Sequence, residues 1–125
     1  MKRMPKISDA EWEIMQIVWD HHPITANEIG EELSDSHDWD FRTIKTMLNR
    51  LVKKGALNYI PDGRSYIYSP AVSQEKCIRE EGSRFLNRVF KGSTTPLIAH
   101  FLENNELPEK EIKELRRILS KKEKS

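Results

Sequence analysis

Four absences bound what this sequence can be. It has one cysteine, Cys77, so no disulfide can close within the chain, and the composition suits a reducing compartment. No apolar run approaches the roughly 20 residues that span a bilayer. The cationic start Met1-Lys2-Arg3-Met4-Pro5-Lys6 is not followed by the apolar segment of a signal peptide. The five glycines are all isolated, so there is no glycine-rich phosphate loop. The expected setting is the cytoplasm, with no membrane partner.

Chemistry is equally thin. There is no nucleophile motif and no pair of carboxylates in an apolar setting that would shift a pKa. His21, His22, His37 and His100 have no metal-ligand spacing with one another. Cys77 lies among apolar positions and reads as buried bulk, with a redox switch as the alternative. No catalytic residue, metal or cofactor is expected, and the chain is not read as an enzyme.

What is present is an uneven distribution of charge. The formal net charge of +1 hides it, as does the mean hydropathy of −0.71. Residues 1–38 hold three cations against nine acids, whereas residues 39–68 hold six cations against two acids, a local +4. The basic segment centres on Asp40 to Gly55. Asp40 is a good N-cap and Gly55 a good residue to follow the helix, with Lys53 and Lys54 favourably placed in the last turn. Helical periodicity gathers Phe41, Ile44, Leu48, Leu51 and Val52 on an inward side. Arg42, Thr43, Thr46, Asn49, Arg50 and Lys53 fall on the other side, with Lys45 at the border. That outward face holds no carboxylate. Short polar side chains among cations suit a polyanion.

The flanking segments supply a context for that helix. Ser8-Asp9-Ala10-Glu11 is a capping box that opens a helix carrying Trp12, Met15, Ile17, Val18 and Trp19 and ending near Asp20. His21-His22-Pro23 forces a turn, and Ile24 is read as a very short extended segment. Thr25-Ala26-Asn27-Glu28 is a second capping box, opening a short helix with Ile29 and Leu33 inward. The three tryptophans, including Trp39 under the start of the basic helix, are read as core. After Gly55 come two aromatic, β-branched runs, 56–60 and 65–69, separated by Pro61-Asp62-Gly63-Arg64. That is a hairpin signal. Helix, helix, basic helix and hairpin is the order of a winged helix-turn-helix, with Arg64 at the wing tip.

Beyond Pro70 the pattern returns to helices. A long one starts near Ser73 and carries Ile78, Phe85 and Val89. Gly92 to Pro96 breaks it, and a second helix carries Leu97, Ile98, Phe101 and Leu102. A further break spans 104–108, and a last helix carries Ile112, Leu115 and Leu119 before a solvated tail from Lys121. About 50 residues are too few to enclose a core unaided. Those apolar positions are assigned to a dimer interface, because palindromic operators are read by two-fold dimers. The fold class is therefore mainly α with a small β-hairpin wing. Residues 1–71 form a winged-helix DNA-binding domain, and residues 72–125 a three-helix dimerisation region.

The opening Ile7-Ser8-Asp9-Ala10-Glu11-Trp12-Glu13-Ile14-Met15 is similar to that of a known group. So are Trp39, Thr43-Ile44-Lys45-Thr46, Arg50-Leu51 and Lys54-Gly55 in the basic helix, and Phe85, Val89, Lys91-Gly92, Glu114-Leu115 and Leu119 further on. The chain resembles the penicillinase and methicillin-resistance repressors of bacteria over nearly its whole length. The resemblance implies repression by operator binding through the helix at 40–54. It also implies relief of repression by cleavage before a phenylalanine in the C-terminal region, started by a membrane β-lactam sensor. The matching bond is His100–Phe101, where known cleaved members have asparagine before the phenylalanine. Family members often carry arginine at the position of Lys45, so a forked contact to guanine becomes a point charge. With Cys77 alone, the chain lacks the cysteine cluster of related copper-responsive repressors.

Base reading is assigned to Arg42, Thr43, Lys45 and Thr46. Phosphate contact is assigned to Arg50, Lys53 and Arg64, and to Asn49, which can also reach a base. The expected partners are operator DNA, a second copy of the chain and an inducing protease. Two other readings stay open: a regulator answering a small-molecule or redox signal, and a winged helix that binds only proteins.

Overall fold

A computed structural model describes residues 4–104 and 107–124. The first three residues, Asn105 and Glu106 of the break expected at 104–108, and Ser125 lie outside the described residues. Helix α1 (Asp9–His21) begins where Ser8 and Glu11 exchange their capping hydrogen bonds. Thr25 and Glu28 do the same for α2 (Ala26–Leu33), directly after the two-residue strand β1 (Ile24–Thr25). Helix α3 (Phe41–Lys53) starts with the Thr43 N–H donating to Asp40 Oδ1 at 2.8 Å.

The end of α3 is fixed by Gly55 at φ +84°, a backbone conformation that side chains disfavour. The Gly55 N–H donates to the Val52 carbonyl and the Ala56 N–H to that of Leu51, which closes the helix and turns the chain into the hairpin. Strands β2 (Leu57–Asp62) and β3 (Ser65–Pro70) pair antiparallel around a two-residue turn, Gly63-Arg64, with Gly63 at φ +64°. β2 runs on through Pro61 and Asp62, residues whose turn chemistry predicts a loop. The sheet order β1–β3–β2 leaves β2 at an edge, where a proline's missing N–H costs little.

Ile14, Met15 and Val18 of α1 meet Ile29 and Leu33 of α2, then Ile44, Met47, Leu48 and Leu51 of α3, with Leu57 and Tyr68 closing the core from the hairpin. Trp12, Trp19 and Trp39 pack against this core but are only partly buried. The Trp19 indole N–H donates to the Val72 carbonyl at 3.1 Å, which keeps the polar end of the ring satisfied.

The chain then continues as α4 (Gln74–Phe90), α5 (Thr94–Glu103) and α6 (Glu109–Glu123), so residues 121–123 extend the last helix instead of starting a tail. The chain divides into two compact units, residues 1–80 and 81–125. The division falls inside α4, whose Cys77 is buried with the core of the first unit. In the second unit, no described residue is buried. Phe85, Val89, Ile98, Phe101, Leu102, Ile118 and Leu119 are all exposed. No helix among the described residues is long and apolar enough to cross a membrane.

Candidate nucleic-acid interface

Helix α3 buries Ile44, Met47, Leu48 and Leu51 and exposes Arg42, Thr43, Lys45, Thr46, Asn49, Arg50 and Lys53. The outward face is therefore as the sequence arranged it, free of acids. Its inward stripe is not. Phe41, expected to point inward, is 46% exposed, and Val52 is only half-buried, while Met47 fills the core. The packing against α1 and α2 selects a stripe centred on Ile44, Met47 and Leu51, and Phe41 stands at its edge.

The exposed residues do not share one direction. Arg42, Thr46, Asn49 and Lys53 form the crest of the helix. Thr43 and Arg50 lie about 80–100° around from Arg42 on the far flank, at 3.6 residues per turn. Phe41 and Lys45 lie on the flank toward the wing. Lys45 Nζ sits 5.6 Å from the centroid of the Phe41 ring, within range of a cation–π contact. The Thr46 hydroxyl donates to the Arg42 carbonyl at 2.9 Å, so toward a ligand it offers a lone pair and a methyl group but no proton.

The wing adds its own groups along two grooves. One, of about 360 Å³, is lined by Phe41, Lys45, Arg64, Ser65 and Tyr66, together with Thr25, Ala26, Asn27 and Tyr68. It brings Arg64 alongside Lys45. The other, of about 380 Å³, runs between Asn49, Val52 and Lys53 of α3 and Tyr59, Tyr66 and Tyr68 of the hairpin. Tyr59 and Tyr66 contact edge to face at 4.9 Å, and both are exposed. Burial pushes the Tyr68 phenol up, with the neighbouring phenols adding to it. Nothing in the sequence pattern marks these wing tyrosines as site residues, although strand alternation places Tyr66 and Tyr68 on one face.

One cation of the basic segment faces the other way. Lys54 Nζ reaches the buried carboxylate of Glu11 at 2.5 Å and the Lys6 carbonyl at 2.9 Å. Burial pushes the Glu11 carboxyl up, but the Lys54 ammonium and the Ser8 hydrogen bonds bring it below its ordinary value. The Asp40 carboxyl is also held low, chiefly by the Thr43 amide and to a lesser degree by Arg42. Asp40 is therefore engaged at the helix start and leaves the crest positive.

Among the residues assigned to a dimer interface, Ile78, Phe85, Val89, Ile98, Phe101, Leu102 and Leu119 are exposed. Leu97, Ile112 and Leu115 are half-buried. His100 and Phe101 lie inside α5, both exposed, with their rings 5.4 Å apart.

A family model described as penicillinase repressor matches residues 7–121. The chain belongs to the penicillinase repressor family. The penicillinase repressor of Bacillus licheniformis is 44% identical over 119 residues, covering 95% of this chain and 93% of its own. The methicillin resistance regulatory protein MecI of Staphylococcus aureus is 38% identical over 117 residues, covering 94% and 95%. The solution structure of monomeric Bacillus licheniformis BlaI in complex with the blaP half-operator matches with a TM-score of 0.52 and 48% identity. It covers 60% of this chain and 92% of that one. The mainly helical architecture with a hairpin wing is thus that of the penicillinase repressors, as the motifs in α1 and α3 implied.

Proposed function

We propose that this penicillinase repressor family member is a dimeric transcriptional repressor acting from the cytoplasm by occupying a palindromic operator, not by catalysis. The observation that carries the reading is the acid-free exposed face of α3, continuous with a wing whose Arg64 shares a groove with Lys45. Arg42, Thr43, Lys45 and Thr46 are assigned to base edges, and Asn49, Arg50, Lys53 and Arg64 to phosphates. The complex of the Bacillus licheniformis relative with a half-operator supports the same use here.

A second copy fits the second unit, whose apolar side chains lie open in the single chain. In this reading residues 1–71 hold the DNA and residues 72–125 the twin. Release follows cleavage between His100 and Phe101 by a protease partner. The test is binding of the full-length protein to duplexes recovered from a randomised pool. A dimer neutralising about six to eight phosphates gives log K against log salt a slope of about −5 to −7. Affinity that does not change with salt overturns the proposal.

A further inference from the structure

We propose that Phe41 is a specificity-determining residue: its ring meets the C5-methyl of a thymine in the major groove and holds the Lys45 ammonium beside it. This rests on the DNA-reading role proposed for α3 and adds to it a residue that helical periodicity assigns to the core.

Phe41 is the first residue of α3, and the N-terminal residues of a recognition helix are the ones that approach base edges. Its ring is 46% exposed, whereas Ile44 and Leu48, its neighbours along the helix, are buried. A phenylalanine left in water forgoes a stabilisation that its neighbours receive. Here the exposed ring lies beneath a lysine ammonium at 5.6 Å and lines a groove that also holds Arg64. An apolar surface set among cations needs an occupant that is both anionic and locally apolar. Duplex DNA supplies both, since phosphates border the groove and thymine places a methyl on its floor, a contact phenylalanine can make. RNA has no such methyl on uracil, and its deep major groove is closed to side chains. Lys45 gains direction from the arrangement: its flexible stem is tethered over the ring, so the ammonium is delivered next to the position that Phe41 reads.

The experiment uses the full-length protein and the duplex it selects from a randomised pool. Each thymine in turn is replaced by deoxyuridine, which removes one methyl group. At one position per half-site the expected loss for the unaltered protein is about fourfold, the worth of one apolar carbon removed from water. The same replacement should leave the affinity of Phe41→Ala unchanged. Phe41→Gln serves in the same way if the alanine variant does not fold. The loss caused by Lys45→Ala should shrink about twofold in the Phe41→Ala background, reflecting the lost tether. Uniform indifference of the unaltered protein to deoxyuridine, or retained methyl sensitivity in both Phe41 variants, overturns the reading role. Strict additivity of the Lys45 and Phe41 losses overturns the tether. Failure to select any sequence at all instead removes the DNA-binding proposal on which this one stands.

Discussion

Lys54, the residue that caps α3, donates to Glu11 in the first turn of α1, and so ties the end of the DNA-facing helix to the start of the domain. Glu11 is 1% exposed, and its second oxygen, Oε2, has no hydrogen-bond partner. The carboxylate therefore depends on Lys54 and Ser8 to remain charged in an apolar setting. Removing Lys54 leaves a buried charge with half its compensation. Lys54→Met should lower stability by about 3 kcal/mol, near the low end for a broken buried pair because the lysine is itself partly exposed. A shift of the urea midpoint at unchanged m-value is the measure.

The same pair sets an acid limit. The folded-state pKa of Glu11 lies below its ordinary value of 4.5, so its contribution is present above that value and is lost as the pH falls through the lowered one. Without Lys54 the upward push of burial meets less opposition. The acid unfolding limb of Lys54→Met should therefore start at higher pH than that of the unaltered protein. Superimposable limbs would refute the link.

Substitutions on α3 and the wing should separate by role. Thr46→Ala is expected to cost discrimination at one base position, about 1–3 kcal/mol, with little change elsewhere. Lys53→Ala and Arg64→Ala should weaken every sequence alike and reduce the salt slope of the dimer by about 2 each, one phosphate contact per protomer. Equal losses on all sequences for all three would refute the division between base reading and phosphate contact.

Gly55 offers a test of the helix stop alone. A Cβ there meets nothing within 4 Å, so the cost of Gly55→Ala comes from its φ of +84° and not from a clash. About 1–2 kcal/mol of stability should be lost, read from thermal unfolding, with binding unchanged once the domain is folded.

The bond proposed for cleavage lies within a helix, whose Asn104 amide closes back on the His100 carbonyl. A protease needs that segment unwound. Ala99→Gly, which costs a helix interior about 1 kcal/mol, should raise amide exchange around Phe101 and the rate of cutting about fivefold. Faster exchange with no faster cutting would place the control elsewhere than in helix opening.

Much of the domain could be read from its sequence because local signals agreed with the fold. Ser8/Glu11, Thr25/Glu28, Asp40 and Gly55 each act at the boundary they mark. Phe41 leaves the inward stripe that periodicity predicts because the apolar positions of α3 admit two stripes, rotated from one another by roughly 40° at the helical repeat. The choice between Phe41 and Met47 is made by α1 and α2, not by α3. The Glu11–Lys54 pair carries no sequence signal, since its partners are joined only through tertiary packing. The crest residues were legible because exposed positions answer to charge alone. Their separation into crest and flanks depends on where the wing lies, and periodicity is silent on that.

The open apolar surface beyond residue 80 bears on how repression would end. If two copies cover it for one another, each DNA-reading half is held near the second half-site at an effective concentration far above that of the free protein. Such linkage multiplies overall avidity by about 10²–10⁴ without any new contact to a base. A single cut in α5 could then empty the operator while every side chain of the reading surface stays in place. Induction would be a loss of company, not a loss of recognition.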